Sequence, residues 1–180
     1  LRPCSDADKI VLLRRLHFDL IGLPPLPEQI DRFIKDTSPQ AYENLVDRLL
    51  ASPRFGERWG RHWLDVSRFA ESMSLRGKIL KHAWRYRDYV IEAFNADLPF
   101  DQFVTQQLAG DLLEASSIDA RRRNLVATTF LMMGDALLEN QNKKQLDMDV
   151  VDEQLDVIGK GLLAQTITCA RCHDHKFDPI

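Results

Sequence analysis

Apolar residues recur at spacings of three and four along most of the chain, and nowhere do they alternate long enough to mark a strand. Ile10, Leu13, Leu16 and Leu20 share one face of a first predicted helix. It is expected to open at Ser5, with Asp8 completing a Ser-x-x-Asp capping box, and to close at Gly22 before Pro24-Pro25. Pro27 starts a short helix carrying Ile30, Phe33 and Ile34. Ser38-Pro39 reads as the cap and first position of a third, in which Tyr42, Leu45, Val46, Leu49 and Leu50 repeat up to Ser52-Pro53. An aromatic face follows, with Trp59, Trp63, Val66, Phe69, Ala70 and Met73. Past a looser stretch at 74–82, Trp84, Tyr86, Tyr89, Val90 and Phe94 predict another helix, broken at 95–99 by Asn, Asp and Pro. Asp101 is the expected cap of a helix through Phe103, Val104, Leu108 and Leu112. The polar residues 114–119 separate it from one bearing Leu125, Val126, Phe130 and Met133. Residues 139–149 are the most polar of all and read as a mobile linker. Val151, Leu155, Ile158, Leu162 and Ile167 then form an amphipathic helix that leads to Cys169. The expectation is an all-α fold, an irregular helical bundle over 1–180 as one domain: a helical body at 1–138, the linker, and a terminal helix with a Cys/His segment at 150–180.

Composition narrows the function classes. The 180 residues carry 24 Lys+Arg against 27 Asp+Glu, a net charge of −3, with 44% hydrophobic residues. Such a chain is too apolar for disorder and too evenly charged for a nucleic-acid binder, which needs clustered Lys and Arg. Arg121-Arg122-Arg123 reads as a solvated helix start. No apolar stretch approaches the ~20 residues that cross a bilayer. The chain lacks an initiating Met and stops just after its most informative motif, so it reads as a piece of a longer protein whose missing targeting segment says nothing of compartment. Three cysteines make no disulfide framework; Cys4 is isolated, inert or paired elsewhere.

Cys169-Ala170-Arg171-Cys172-His173 is C-x-x-C-H, the attachment signature of c-type haem. Two thiols three residues apart reach the two vinyl groups along one side of a porphyrin, and the adjoining His173 binds the iron from the proximal face. Cys169 and Cys172 are thus the candidate covalent attachments and His173 the candidate metal ligand. Three other readings stand beside this one. The thiols can form a redox dithiol, although no βαβ pattern surrounds them. Cys169, Cys172, His173 and His175 offer four zinc-type donors, more crowded than the separated pairs of structural zinc sites. A disulfide or two plain structural thiols is the last. No Ser-His-Asp order, phosphate-cradling Gly loop or HExxH motif occurs in the sequence, so no catalytic constellation is visible.

Several blocks resemble the planctomycete-type cytochrome c domain family, a domain of otherwise unknown function in large exported bacterial proteins. They are residues 14–25 (RRLHFDLIGLPP), 42–53 (YENLVDRLLASP), Gly56-Glu57-Arg58-Trp59 with His62-Trp63-Leu64-Asp65, and 83–91 (AWRYRDYVI). Two more are 95–103 (NADLPFDQF) with 107–111 (QLAGD), and 169–180 (CARCHDHKFDPI). The resemblance implies covalent haem c, an extracytoplasmic (periplasmic or exported) setting, and partners that are other domains of the same polypeptide or a periplasmic redox protein. It supplies no reaction; electron transfer, alone or as part of a multidomain oxidoreductase, is the expectation from the C-x-x-C-H motif.

A haem iron needs a sixth position, filled or open. His62, beside Trp59 and Trp63, is one candidate; His17, His82, Met132, Met133 and Met148 are others, and a ligand beyond Ile180 is equally open. His175 lies too near His173 to reach the opposite face. Trp59, Trp63, Trp84 and Phe69 line a haem pocket or form plain core. Arg85, Arg87, Arg171 and Lys176 are candidate partners of the propionates; for Arg85 and Arg87 the alternative is a bundle carboxylate such as Asp88 or Glu92. Asp147, Asp149 and Asp152 hint at calcium, but without the Gly and terminal Glu of a calcium hand they read as helix N-terminal charge.

Overall fold

The computed structural model describes residues 7–73, 78–133, 142–177 and 179. Cys4, Ser5 and residues 139–141, all singled out above, lie outside the described residues. The fold is all-α: α1 (Lys9–Ile21), α2 (Pro27–Lys35), α3 (Ala41–Leu50), α4 (Pro53–Val66), α5 (Trp84–Asn95), α6 (Phe100–Ala109), α7 (Ile118–Ala127) and α8 (Lys143–Leu162). Two 3₁₀ turns, Thr128–Met132 and Thr168–Arg171, complete the helices. A two-residue antiparallel pair, β1 (Ser72–Met73) and β2 (Lys78–Ile79), is too short to alter the class.

The described residues gather into two compact units. Unit 1 holds Leu1–Arg61 and Ile91–Asp97; unit 2 holds His62–Val90 and Leu98–Ile180. In unit 1 the apolar faces of α1, α2 and α3 bury Leu13, Phe33, Ala41, Leu45 and Leu49, with Leu16, Leu20, Ile21 and Ile30 packed against them. Gly22 closes α1 in the left-handed region at φ 71°, where a side chain would be strained, and its N–H bonds the Phe18 carbonyl. The start of α4 is held by an amide side chain: Asn95 Oδ1 accepts the Gly56 N–H at 2.8 Å, and its Nδ2 donates to the Pro53 carbonyl at 3.1 Å. A Cβ on Gly56 would lie 2.4 Å from the Ile91 carbonyl oxygen, so only glycine permits this approach.

Unit 2 is built around an aromatic cluster. Trp63 packs edge-on to Phe103 at 4.9 Å and stacks on Phe130 at 5.7 Å. Its indole N–H is shared between Gln107 Oε1 at 2.8 Å and the Tyr86 hydroxyl at 3.1 Å, while Tyr86 donates to Gln107 at 2.5 Å. The buried Tyr86 and Gln107 satisfy each other and the part-buried Trp63 indole, which is what lets them sit in a core.

Element boundaries differ from expectation where a local hydrogen bond outranks the pattern. Asp8, whose carboxylate accepts the Val11 N–H at 2.9 Å, caps α1 itself, so this helix begins at Lys9. Asp36 Oδ1 holds the Ser38 N–H, and α3 starts only at Ala41. Arg68 turns left-handed at φ 57°, which takes Phe69, Ala70 and Met73 off the α4 face. Pro99, not Asp101, precedes α6, and Leu112 lies beyond its end at 80% exposure. The expected linker is corrected from 143 onward. Asn142 accepts the Gln145 N–H at 3.2 Å, and Gln145 donates to Asp149 four residues on at 2.8 Å, so the polar residues 143–149 form the first turns of α8.

Candidate functional site

The Cys/His segment is delivered by a reversal at the end of α8. The N–H groups of Leu163 and Gln165 both bond the Gly159 carbonyl, at 3.2 and 2.9 Å, with Ala164 between them in the left-handed region at φ 54°. A Cβ on Gly159 would stand 3.0 Å from the Gln165 carbonyl oxygen and 3.0 Å from Ile167, so the missing side chain is what lets the chain return over the helix. One 3₁₀ turn then carries the motif. The Cys169 carbonyl accepts the N–H groups of Cys172 at 3.1 Å and His173 at 3.2 Å. Residues three apart in such a turn eclipse one another, so this local geometry suits two thiols that act as a pair.

Cys169 and Cys172 are free and exposed, and His173 is exposed beside them. His173 Nδ1 lies 3.0 Å from the Asp174 carbonyl oxygen. A carbonyl only accepts, so Nδ1 is the donor there, and in the neutral ring of this tautomer the lone pair is on Nε2. His175 is arranged the other way, its Nδ1 accepting the Phe177 N–H at 3.4 Å. Among the described residues no three His, Cys, Asp or Glu side chains converge in a group able to hold a metal. Haem attachment asks for one imidazole and two thiols on this side, and the donor set of Cys169, Cys172 and His173 fits that requirement.

The segment is tied to α8 through acids. Arg171 pairs with Asp149 at 2.9 Å and with Asp152. The hydrogen bond that Arg171 donates to Asp149, with the charge of Asp152, raises the guanidinium above its ordinary value. Thr168 donates to Asp156 Oδ1 at 2.5 Å. Asp156 is only 5% exposed, and its other oxygen receives Lys160 at 2.9 Å and Arg68 at 3.4 Å. Burial pushes this carboxyl up, but the bonds from Thr168 and Lys160 and the charges of Lys160 and Arg68 outweigh it and hold it below the ordinary value. Arg68 also pairs with Glu153 at 2.6 Å.

The remaining candidates are scattered. His17 belongs to unit 1 and is buried, its Nδ1 donating to the Leu13 carbonyl at 2.9 Å. Met133 is buried, Met132 accepts a long contact from Gln154 at 3.8 Å, and His62, His82 and Met148 are exposed. Trp63 and Phe69 pack within unit 2, Phe69 stacking on Tyr86 at 6.4 Å; Trp59 packs on Phe55, and Trp84 lies under Arg85. Arg87 is paired with Asp88 and Glu71, and Lys176 lies over Phe177. The helix N-terminal reading of the acids is corrected. Asp147, Asp149 and Asp152 lie beyond the first turn of α8, and the latter two hold Arg171. Arg121–Arg123 sit near the start of α7 on exposed positions. Sequence reasoning missed Asp156, Thr168, Arg68 and Gly159. The available signal was an acidic stripe at helical spacing, 149, 152 and 156, followed by a basic residue inside the motif.

Among the described residues no helix is long and apolar enough to cross a membrane. No curated protein and no solved structure matches the chain. One family model does, over residues 1–180: the chain belongs to the PSCyt2 family, described as a protein of unknown function (DUF1549).

Proposed function

We propose that this chain is a c-type haem-binding domain of an exported bacterial protein, and that it transfers electrons. The observation that carries the reading is the C-x-x-C-H turn itself. Cys169 and Cys172 are free and exposed one 3₁₀ turn apart, and the adjoining His173 has Nδ1 engaged by a backbone carbonyl. An imidazole fixed in this way keeps Nε2 available for iron, as metal-binding histidines generally do. Each thiol adds S–H across one vinyl double bond; a carbon–sulfur and a carbon–hydrogen bond replace the π bond, and nothing leaves. The group so attached would supply reversible one-electron chemistry, with its potential set by the second ligand and by burial. Its partners in this reading are other domains of the same polypeptide or a periplasmic redox protein. A role as the haem-bearing part of a larger oxidoreductase is the same site in a wider context. The family name is consistent with the reading and does not specify a reaction.

The test is expression in a host that has haem-maturation machinery. Covalent attachment is expected to give an intact mass raised by one haem and a pyridine haemochrome band that survives acid–acetone extraction. His173→Ala is expected to lose the proximal ligation signature, and Cys169→Ala or Cys172→Ala to retain at most one thioether. Colourless protein of unmodified mass overturns the reading, and stoichiometric zinc in that material puts the cysteines and histidines to structural use instead.

A further inference from the structure

Exposure leaves little apolar contact to fix the Cys/His segment: Cys169, Cys172 and His173 face solvent, and Phe177 is 82% exposed. What holds it is polar and grips both ends of the turn. Thr168, just before Cys169, donates to the buried Asp156. Arg171, just before Cys172, spans Asp149 and Asp152 on the preceding turns of the same helix. Asp156 is itself braced by Lys160 and by Arg68, which also grips Glu153. A porphyrin has its two reactive substituents at a fixed separation, so two thiols and an imidazole held in one arrangement meet it at a smaller entropic cost than three mobile groups.

We propose that Asp149, Asp152 and Asp156 are positioning residues, which act through Arg171 and Thr168 to hold Cys169, Cys172 and His173 ready for attachment. The purpose rests on the haem reading, whereas the geometry does not, and the two are tested apart. Arg171 is paired with both Asp149 and Asp152. A guanidinium presents two N–H edges to two carboxylates, which a lysine ammonium cannot reproduce in full.

The experiment is hydrogen exchange on the full chain, reduced and without cofactor, read at the amides of Cys172 and His173. Arg171→Gln, and separately Asp149→Asn with Asp152→Asn, is expected to speed exchange there by roughly threefold to fivefold, with amides of α6 unchanged. The combination is expected to be no faster than either alone, and Arg171→Lys to restore part of the protection. Rates equal to wild type in every variant, or effects that multiply in the combination, overturn the proposal. Arg171 is a surface residue, so these variants keep the fold even where Asp156→Ala does not. In matured protein Arg171→Gln is further expected to raise the share of singly attached product, whose remaining vinyl moves the haemochrome band to longer wavelength. Failure of wild type to take up haem removes the haem reading and leaves the exchange result standing; unchanged exchange alongside normal haem attachment removes only the positioning role.

Discussion

At the scale of single residues, Asp156 shows how a buried charge is made tolerable. Its two oxygens receive Thr168, Lys160 and Arg68, so the cost of taking a carboxylate out of water is offset by charge-assisted bonds. Asp156→Ala is expected to cost about 2 kcal/mol at pH 7 in chemical denaturation, because it strands a hydroxyl and loosens two cations. The sign of its pH dependence follows from its carboxyl lying below the ordinary 3.8 in the folded chain. The unfolded chain takes up this proton first as pH falls, so the stabilisation is fully present above pH 3.8 and is lost as pH drops through the lower folded value. The gap between wild type and Asp156→Ala is therefore expected to narrow below pH 3.8, as denaturation at pH 3 and pH 7 would show. None of this was legible from residue type, since Asp156 resembles its neighbours in α8 and only the returning chain distinguishes it.

At the scale of elements, helix ends were set by groups from elsewhere in the chain as well as by local caps. Asn95, at the end of α5, satisfies the Gly56 N–H in the first turn of α4 and reaches the Pro53 carbonyl. Asn95→Ala is expected to lower stability by about 1–2 kcal/mol, since it leaves an N-terminal amide without its acceptor. Gly56→Ala is expected to be worse, about 2–4 kcal/mol, because the new methyl meets the backbone oxygen of Ile91, which a helix cannot readily move. Thermal melts of the two variants rank them. The periodicity of Leu45 and Leu49 located α3, and Gly22 and Pro27 punctuated their helices as expected, because these signals are carried by a few adjacent residues. The extension of α8 back to Lys143 was hidden by its polar composition. Its side chains bond within the helix, through Asn142 and Gln145, where the pattern suggested only solvation.

At the scale of the whole molecule, buried groups of different kinds contribute stability that is lost in acid and in alkali. Burial pushes the phenols of Tyr86 and Tyr89 above their ordinary 10.0. The unfolded chain then loses those protons first as pH rises, so stability is expected to fall above pH 10, opposite in sign to the Asp156 contribution. Tyr86→Phe is expected to cost about 1–2 kcal/mol at pH 7 through the lost bond to Gln107, and to flatten the alkaline decline in a pH series of denaturation curves. The lost bond joins residues 21 positions apart, with Trp63, 44 positions from Gln107, in the same network, whereas the alkaline decline comes from burial of the phenols.

The sequence by itself determined the helical class, most of the apolar faces, and the C-x-x-C-H motif with Cys169, Cys172 and His173, because periodicity and short spacing are properties of neighbouring residues. Only the tertiary structure decided that Trp63 packs on Phe103 and Phe130, that the described residues gather into two units, and that Arg171 and Thr168 are held by the acids of α8. Those outcomes depend on which distant groups satisfy a buried or charged atom, and hydrogen bonds of that range leave no period in the sequence.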